Sequence, residues 1–283
     1  MNTTISNSTI SASIKHAGAE LFSLKNNDNK EYIWEGSPDF WGKHSPVLFP
    51  IVGTLKNNTY TIEGKEYQLP RHGFARDMEF QLIEKTENSA VFSLESNSET
   101  LKKYPFEFEL QLIYTLENTS LHIEYKVINK SGKKLPFSIG AHPAIALLEN
   151  FEDYAFEFEK EEVLKYYLLE NDLISNKTKV LETTNGTVPL NYKLFENDAL
   201  IFKTLESKSL TILEKSKPYI NVDFKDFPSL GLWTKDQAPF ICIEPWLGYS
   251  DTSENSGDLF KKEGILILDS DQTFNSKFTI TIL

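Results

Sequence analysis

The chain has 283 residues, 40% hydrophobic and 13% aromatic, which suffices for one large core and is too rich in aromatics for disorder. Its formal charge of -12, from 29 basic against 41 acidic side chains, repels phosphate backbones and anionic lipid, so nucleic acid and membrane are excluded as partners. Its single cysteine, Cys242, excludes an intrachain disulfide and a cysteine-based metal site.

The first residues, 1–13, are rich in Asn, Thr and Ser and have no basic segment followed by an apolar one, as a secretion signal would. No apolar run approaches the roughly 20 residues that span a bilayer. The expected compartment is the cytoplasm. Tyr60-Thr61-Ile62 and Tyr67-Gln68-Leu69, joined by Glu63-Gly64-Lys65, predict a hairpin.

Regular alternation then breaks at Leu69-Pro70-Arg71-His72-Gly73-Phe74-Ala75-Arg76-Asp77. Of the 29 basic residues only Arg71 and Arg76 are arginines, and they flank a His-Gly pair. A guanidinium presents a rigid fork of donors that lysine cannot copy, suited to hydroxyl pairs, carboxylate or phosphate. The structural alternative is a salt bridge with Asp77 or Glu79. A short helix is expected over 98–104, capped by Asn97 or Ser98 and stopped by Pro105.

Phe106, Phe108, Leu110, Leu112, Tyr114 and Leu116 alternate with polar residues, and Leu121, Ile123, Tyr125 and Val127 repeat the pattern after Glu117-Asn118-Thr119-Ser120. A period of two with one apolar face predicts an antiparallel pair. His122 lies on the opposite face and is expected to meet solvent. A second break, Phe137-Ser138-Ile139-Gly140-Ala141-His142-Pro143-Ala144, sets a histidine in a Gly/Pro-bounded turn. Histidine titrates near neutrality and can deliver a proton there, although a histidine before proline is also a common turn residue.

Further alternating runs cover 154–158, 210–213, 220–224, 240–244, 265–268 and 278–283. In Phe240-Ile241-Cys242-Ile243-Glu244-Pro245-Trp246 an apolar strand ends in a carboxylate. Desolvation there raises its pKa and makes it a stronger base. Cys242 shares strand parity with Glu244 and reads as a small buried thiol. Trp34, Trp41, Trp233 and Trp246 lie near loop signals, where an indole can stack on the C–H face of a sugar or simply fill core. The five histidines are scattered without ligand spacing, so no metal site is expected. Many strands and few short helices predict an all-β fold, a large antiparallel β-sandwich formed as a single domain over residues 1–283.

Taken in order, Gly18-Ala19-Glu20-Leu21, Ser45-Pro46-Val47-Leu48-Phe49-Pro50 with Gly53, Arg71-His72-Gly73-Phe74-Ala75-Arg76, Gly140-Ala141-His142-Pro143 and Ile243-Glu244-Pro245-Trp246 resemble the aldose 1-epimerases of the galactose mutarotase-like superfamily, and most closely their LacX-like branch. The resemblance implies a β-supersandwich with an open sugar cleft and a cofactor-free isomerase acting on the anomers of a hexose. By the same likeness Glu244 is the base and His142 the acid. The likeness also implies that His72, Arg76 and Arg71 bind substrate; Trp233 is the expected stacking indole, no metal or other cofactor is expected, and the expected assembly is a monomer or weak homodimer.

One position departs from the pattern. Many relatives carry arginine directly after the glycine of the Phe-Pro-x-x-Gly segment, where this chain has Thr54. Arg71, Arg76 or Lys56 would have to substitute. Two alternatives share the fold: a hexose-6-phosphate mutarotase, which two arginines beside a histidine would suit, and a non-catalytic carbohydrate-binding domain. A glycosidase would need two facing carboxylates, and only Glu244 qualifies.

Overall fold

The computed structural model describes residues 1–283 and contains 24 strands, one α-helix and five short 3-10 turns. Two antiparallel sheets dominate. The nine-stranded sheet runs in spatial order Thr187–Pro189, Tyr154–Phe158, Ser209–Glu214, Lys217–Asp223, Thr273–Ile282, Ser120–Asn129, Phe108–Glu117, Ser89–Glu95, Gln81–Lys85. The eight-stranded sheet runs Leu173–Val180, Lys165–Glu170, Leu200–Phe202, Ser229–Trp233, Phe240–Leu247, Ile139–Ala141, Val47–Leu48, and Ala144–Ala146 pairs with Phe240–Leu247 as well. A core of 68 buried hydrophobic residues, drawn from both sheets, lies between them. No helix is long and apolar enough to cross a membrane.

The expected β-sandwich forms, and every alternating run overlaps a strand, although the ends differ. Strand Phe108–Glu117 buries every second residue, with Phe108, Leu110, Leu112, Tyr114 and Leu116 inward. Its partner Ser120–Asn129 does the same, and the register Leu121↔Leu116 and Ile123↔Tyr114 follows from the turn at Asn118-Thr119. The helix is Ser98–Lys103; Asn97 caps it by accepting from the Thr100 amide, and Thr100 Oγ1 accepts in turn from the Asn97 amide. Tyr104 is extended, as a residue preceding proline must be.

The start of the chain departs from the sequence reading. The polar start forms strands Asn2–Ser6 and Ile10–Lys15, which join Leu21–Asn26 in a separate three-stranded sheet. Its small residues hid a period-two pattern in which Ile10, Ala12 and Ile14 face inward. Trp233 and Trp246 are the last and last-but-one residues of strands Ser229–Trp233 and Phe240–Leu247, within the sheet and next to the loops that follow.

Strand Phe240–Leu247 is buried along its whole length. Ile241, Ile243 and Leu247 face the core between the sheets. Cys242, Glu244 and Trp246 therefore face the other side of the sheet, where loops cover them. That covered outer face is where the polar residues gather.

Candidate active site

Trp246 forms the floor. Its register partner is Gly140 on one side, and on the other Gly231 pairs with Glu244. A Cβ on Gly140 would stand 2.6 Å from the Trp246 ring, and one on Gly231 would stand 2.7 Å from it. The two glycines thus open the groove in which the indole lies, with its Nε1 donating to the Ala141 carbonyl at 3.2 Å.

Above this floor lies a cavity of about 270 Å³ lined by Trp41, Arg71, His72, Arg76, His142, Asp198, Ala199, Trp233, Glu244 and Trp246. All six sequence-predicted site residues line it. His142 reaches it from the turn after strand Ile139–Ala141, and Glu244 from the middle of its own strand. His142 Nε2 stands 3.2 Å from Glu244 Oε2, with the two side chains 11% and 2% exposed. The contact does not meet hydrogen-bond geometry, and neither Glu244 Oε2 nor the other ring nitrogen, His142 Nδ1, has a hydrogen-bond partner. Two buried polar atoms left open beside a cavity are poised to bond a ligand.

Burial lifts the Glu244 carboxyl well above the usual carboxylate range, and Asp198 adds to this while Arg71 opposes it. Burial also pushes His142 down to about 3, and the guanidiniums of Arg71 and Arg76 push in the same direction. The same three influences, joined by His142, hold His72 well below the ordinary range. Both rings are neutral at pH 7.

The tautomer of His72 follows from its tether. The Gly53 amide donates to His72 Nδ1 at 3.0 Å, and the His72 amide donates back to the Gly53 carbonyl at 2.8 Å. A neutral imidazole with an accepting Nδ1 carries its proton on Nε2. Arg71 Nε–H points at Nε2 over a longer 3.3 Å; a neutral ring cannot accept at both nitrogens, and the shorter Gly53 contact assigns Nδ1 as the acceptor and leaves Nε2–H to turn to a ligand. Gly53 is required here: its φ is +74° and a Cβ would lie 2.5 Å from the Ser250 amide nitrogen.

Arg76 Nη2 donates to the Arg71 carbonyl at 2.8 Å, while its buried Nε has no hydrogen-bond partner. The salt bridge considered from sequence exists only as a 3.7 Å approach of Arg76 Nε to Asp77. Arg71 instead pairs with Asp172 at 3.2 Å, at the tip of the hairpin formed by Lys165–Glu170 and Leu173–Val180. Both partners are well exposed, so that bridge is weak. Thr54 does not line the cavity; its amide donates to Ser250 Oγ. Lys56 extends to the Ser253 carbonyl, so of the three candidate substitutes only the two arginines reach the site.

Sequence reasoning missed two lining residues, Asp198 and Ala199, and left two more, Trp41 and Trp246, as indoles that could stack on a sugar or fill core. Trp41 stacks on His142, and its loop is held by Trp34 Nε1 donating to the Trp41 carbonyl at 2.8 Å and by Lys235 Nζ donating to the Phe40 carbonyl at 3.0 Å. Asp198 enters from a turn with φ +76°, its carboxylate accepting from the Ala199 amide at 2.7 Å. Outside the cavity, His16 bonds Thr3 and His44 lies against Glu20, both buried in structural roles. His122 is half-buried and bonds Thr279 and Glu117 rather than facing solvent alone. Folding brings ligand atoms of His142, Cys242 and Glu244 within 4.8 Å of one another, a grouping that the scattered spacing of the histidines did not announce.

The family described as aldose 1-epimerase matches residues 1–266. The chain belongs to the aldose 1-epimerase family. Among its relatives, this aldose 1-epimerase family member is 36% identical to protein LacX (plasmid) of Lactococcus lactis subsp. lactis, over 100% of both chains. A galactose mutarotase related enzyme of Lactobacillus acidophilus superposes with a TM-score of 0.95 at 35% identity, covering 100% of this chain and 97% of that one. A galactose mutarotase-like protein of Lactobacillus casei gives 0.94 at 31% identity over 100% of both. The sandwich and the sugar-isomerase class thus follow from the family, while the roles of individual residues rest on the geometry above.

Proposed function

We propose that this epimerase family member is a mutarotase that interconverts the α and β anomers of a hexose, with Glu244 as base and His142 as acid, and that residues 1–283 act as one domain. The observation that carries the reading is the buried His142–Glu244 contact of 3.2 Å, opening onto a cavity walled by three indoles.

Ring opening removes a proton from the O1 hydroxyl, breaks C1–O5 and adds a proton to O5. The pair must therefore hold one proton in total. In the empty site that proton resides on Glu244, since burial raises the carboxyl and lowers the imidazole. A sugar hydroxyl donating to Glu244, and a ring oxygen accepting from His142, stabilise the charge-separated form. The proton then crosses directly to His142. Glu244 takes the O1 proton as His142 protonates O5, the carbonyl turns, and closure reverses both transfers. General acid and base of this kind contribute ~10²–10⁴-fold each.

His72 Nε2–H donates to a sugar oxygen, Arg71 and Arg76 hold hydroxyls, and Trp233 stacks on the C–H face. A second reading, a hexose-6-phosphate mutarotase, is favoured by one observation: the chain's only two arginines both line this cavity. Polarimetry of freshly dissolved α-glucose and α-galactose, with NMR exchange on the 6-phosphates, tests both. Acceleration of one class names the substrate. Folded protein that accelerates none overturns the mutarotase reading and leaves a carbohydrate-binding domain.

A further inference from the structure

We propose that His142, Cys242 and Glu244 form a three-ligand site for a soft divalent cation such as Zn²⁺, and that a cation seated there blocks the sugar. The chain has one cysteine in 283 residues, and folding places it against the acid–base pair. Cys242 and Glu244 are i and i+2 on one face of strand Phe240–Leu247. Ala144, two residues after His142, is the register partner of Cys242. Three ligand types of increasing softness, carboxylate, imidazole and thiol, thus converge from strand Phe240–Leu247 and the turn between its two neighbours, Ile139–Ala141 and Ala144–Ala146.

The distances fit. In a tetrahedral site with metal–ligand bonds of about 2.0–2.3 Å, neighbouring ligand atoms stand about 3.3–3.6 Å apart. The His142 Nε2 to Glu244 Oε2 edge already measures 3.2 Å. No pair among the three ligand atoms exceeds 4.8 Å, so the sulfur closes by on the order of 1 Å. All three residues are buried, and Glu244 Oε2 has no hydrogen-bond partner, leaving a lone pair free for the ion. The fourth position opens to the cavity, where water would complete the shell.

Charge explains why the cysteine decides. Arg71 and Arg76 line the same cavity and disfavour any uncompensated cation. A divalent ion bound by one carboxylate would retain a positive charge beside them; with a carboxylate and a thiolate the complex is neutral. Binding therefore expels the protons of both acids to solvent. Thiolate and imidazole ligands select Zn²⁺ over Mg²⁺ and Ca²⁺.

The blocking half rests on the proposed mutarotase reading; the binding half does not. The test titrates the full-length protein with Co²⁺ as a spectroscopic probe. The expected result is a 1:1 complex with sulfur-to-cobalt charge-transfer absorption, displaced by Zn²⁺ and diminished by saturating sugar. In mutarotation assays Zn²⁺ should compete with sugar. Cys242→Ala should lose the charge-transfer band, retain turnover, and weaken Zn²⁺ inhibition by more than the ~100-fold upper range for losing an outer-shell partner. A Co²⁺ spectrum without the thiolate band overturns the site whether or not the protein turns over sugar. Equal Zn²⁺ inhibition of wild type and Cys242→Ala overturns it as well. If the alanine variant does not fold, the wild-type band and its response to sugar still decide.

Discussion

The Trp41 indole lies face to face with the His142 imidazole, ring centroids 4.7 Å apart and planes 27° from parallel. Trp233 meets the same imidazole edge-on at 5.7 Å, and His72 does so at 5.8 Å. His142 Nδ1 has no hydrogen-bond partner, so the ring is oriented by packing and by Glu244 alone. Removing the stacked indole frees its rotation.

Trp41→Ala should therefore lower kcat by about 10–100-fold, since a misplaced acid loses that much from small displacements, while Trp41→Phe retains most of it. Mutarotation rates of the two variants check this. Equal rates in wild type and Trp41→Ala would show that the stack does not orient the acid.

Glu244→Gln should abolish turnover and stabilise the fold. In the unfolded chain the carboxyl ionises above 4.5, whereas burial keeps it protonated in the folded protein. Folding then takes up a proton, so the wild type loses stability as pH rises above 4.5, by up to ~1.4 kcal/mol per pH unit until the folded carboxyl ionises. Glutamine has no such slope. Urea midpoints at two pH values, near 5 and near 8, should show a gap in favour of the variant that widens with pH.

The pH–rate profile should have a long plateau. The pair is competent with one proton. Its acid limb belongs to a second proton on His142, pushed down to about 3 by burial, and its alkaline limb to loss of the only proton, held up by the buried Glu244 carboxyl. A limb near 6.5, where an ordinary histidine titrates, would contradict the assignment of the empty-site proton.

Asp251 and Lys262 form a buried ion pair at 3.1 Å, with side chains 2% and 1% exposed. Asp251 also accepts from the Lys56 amide, and its own amide donates to the Thr54 carbonyl, next to the Gly53 tether of His72. Asp251→Ala should cost about 3–5 kcal/mol, because it strands a buried ammonium. Chemical denaturation measures it. A loss under about 1 kcal/mol would mean that Lys262 finds another partner or water.

Arg76→Lys should raise KM more than it lowers kcat, because lysine keeps the charge but not the fork of donors. If the natural sugar bears a phosphate, the rise should exceed that seen with the neutral sugar, measured on the same variant.

Much of this site was legible in the order of residues because strand alternation is local. A period of two fixes which side chains share a face, so Cys242 and Glu244 could be placed together before any fold was known. The breaks at Arg71-His72 and at His142 marked segments that leave the regular strands, whereas the expected strand end at Glu244 was wrong: the buried strand runs on through Leu247. Other relations depend on which strands become neighbours. That Gly140 and Gly231 bracket Trp246, that Trp41 arrives from a loop to stack on His142, and that Gly53 sets the tautomer of His72 all join residues distant in sequence. Sequence fixed the alphabet of side chains and their parity along each strand. Only tertiary structure set their distances, their burial and hence their protonation, because desolvation and contact are properties of assembled sheets and not of any one segment.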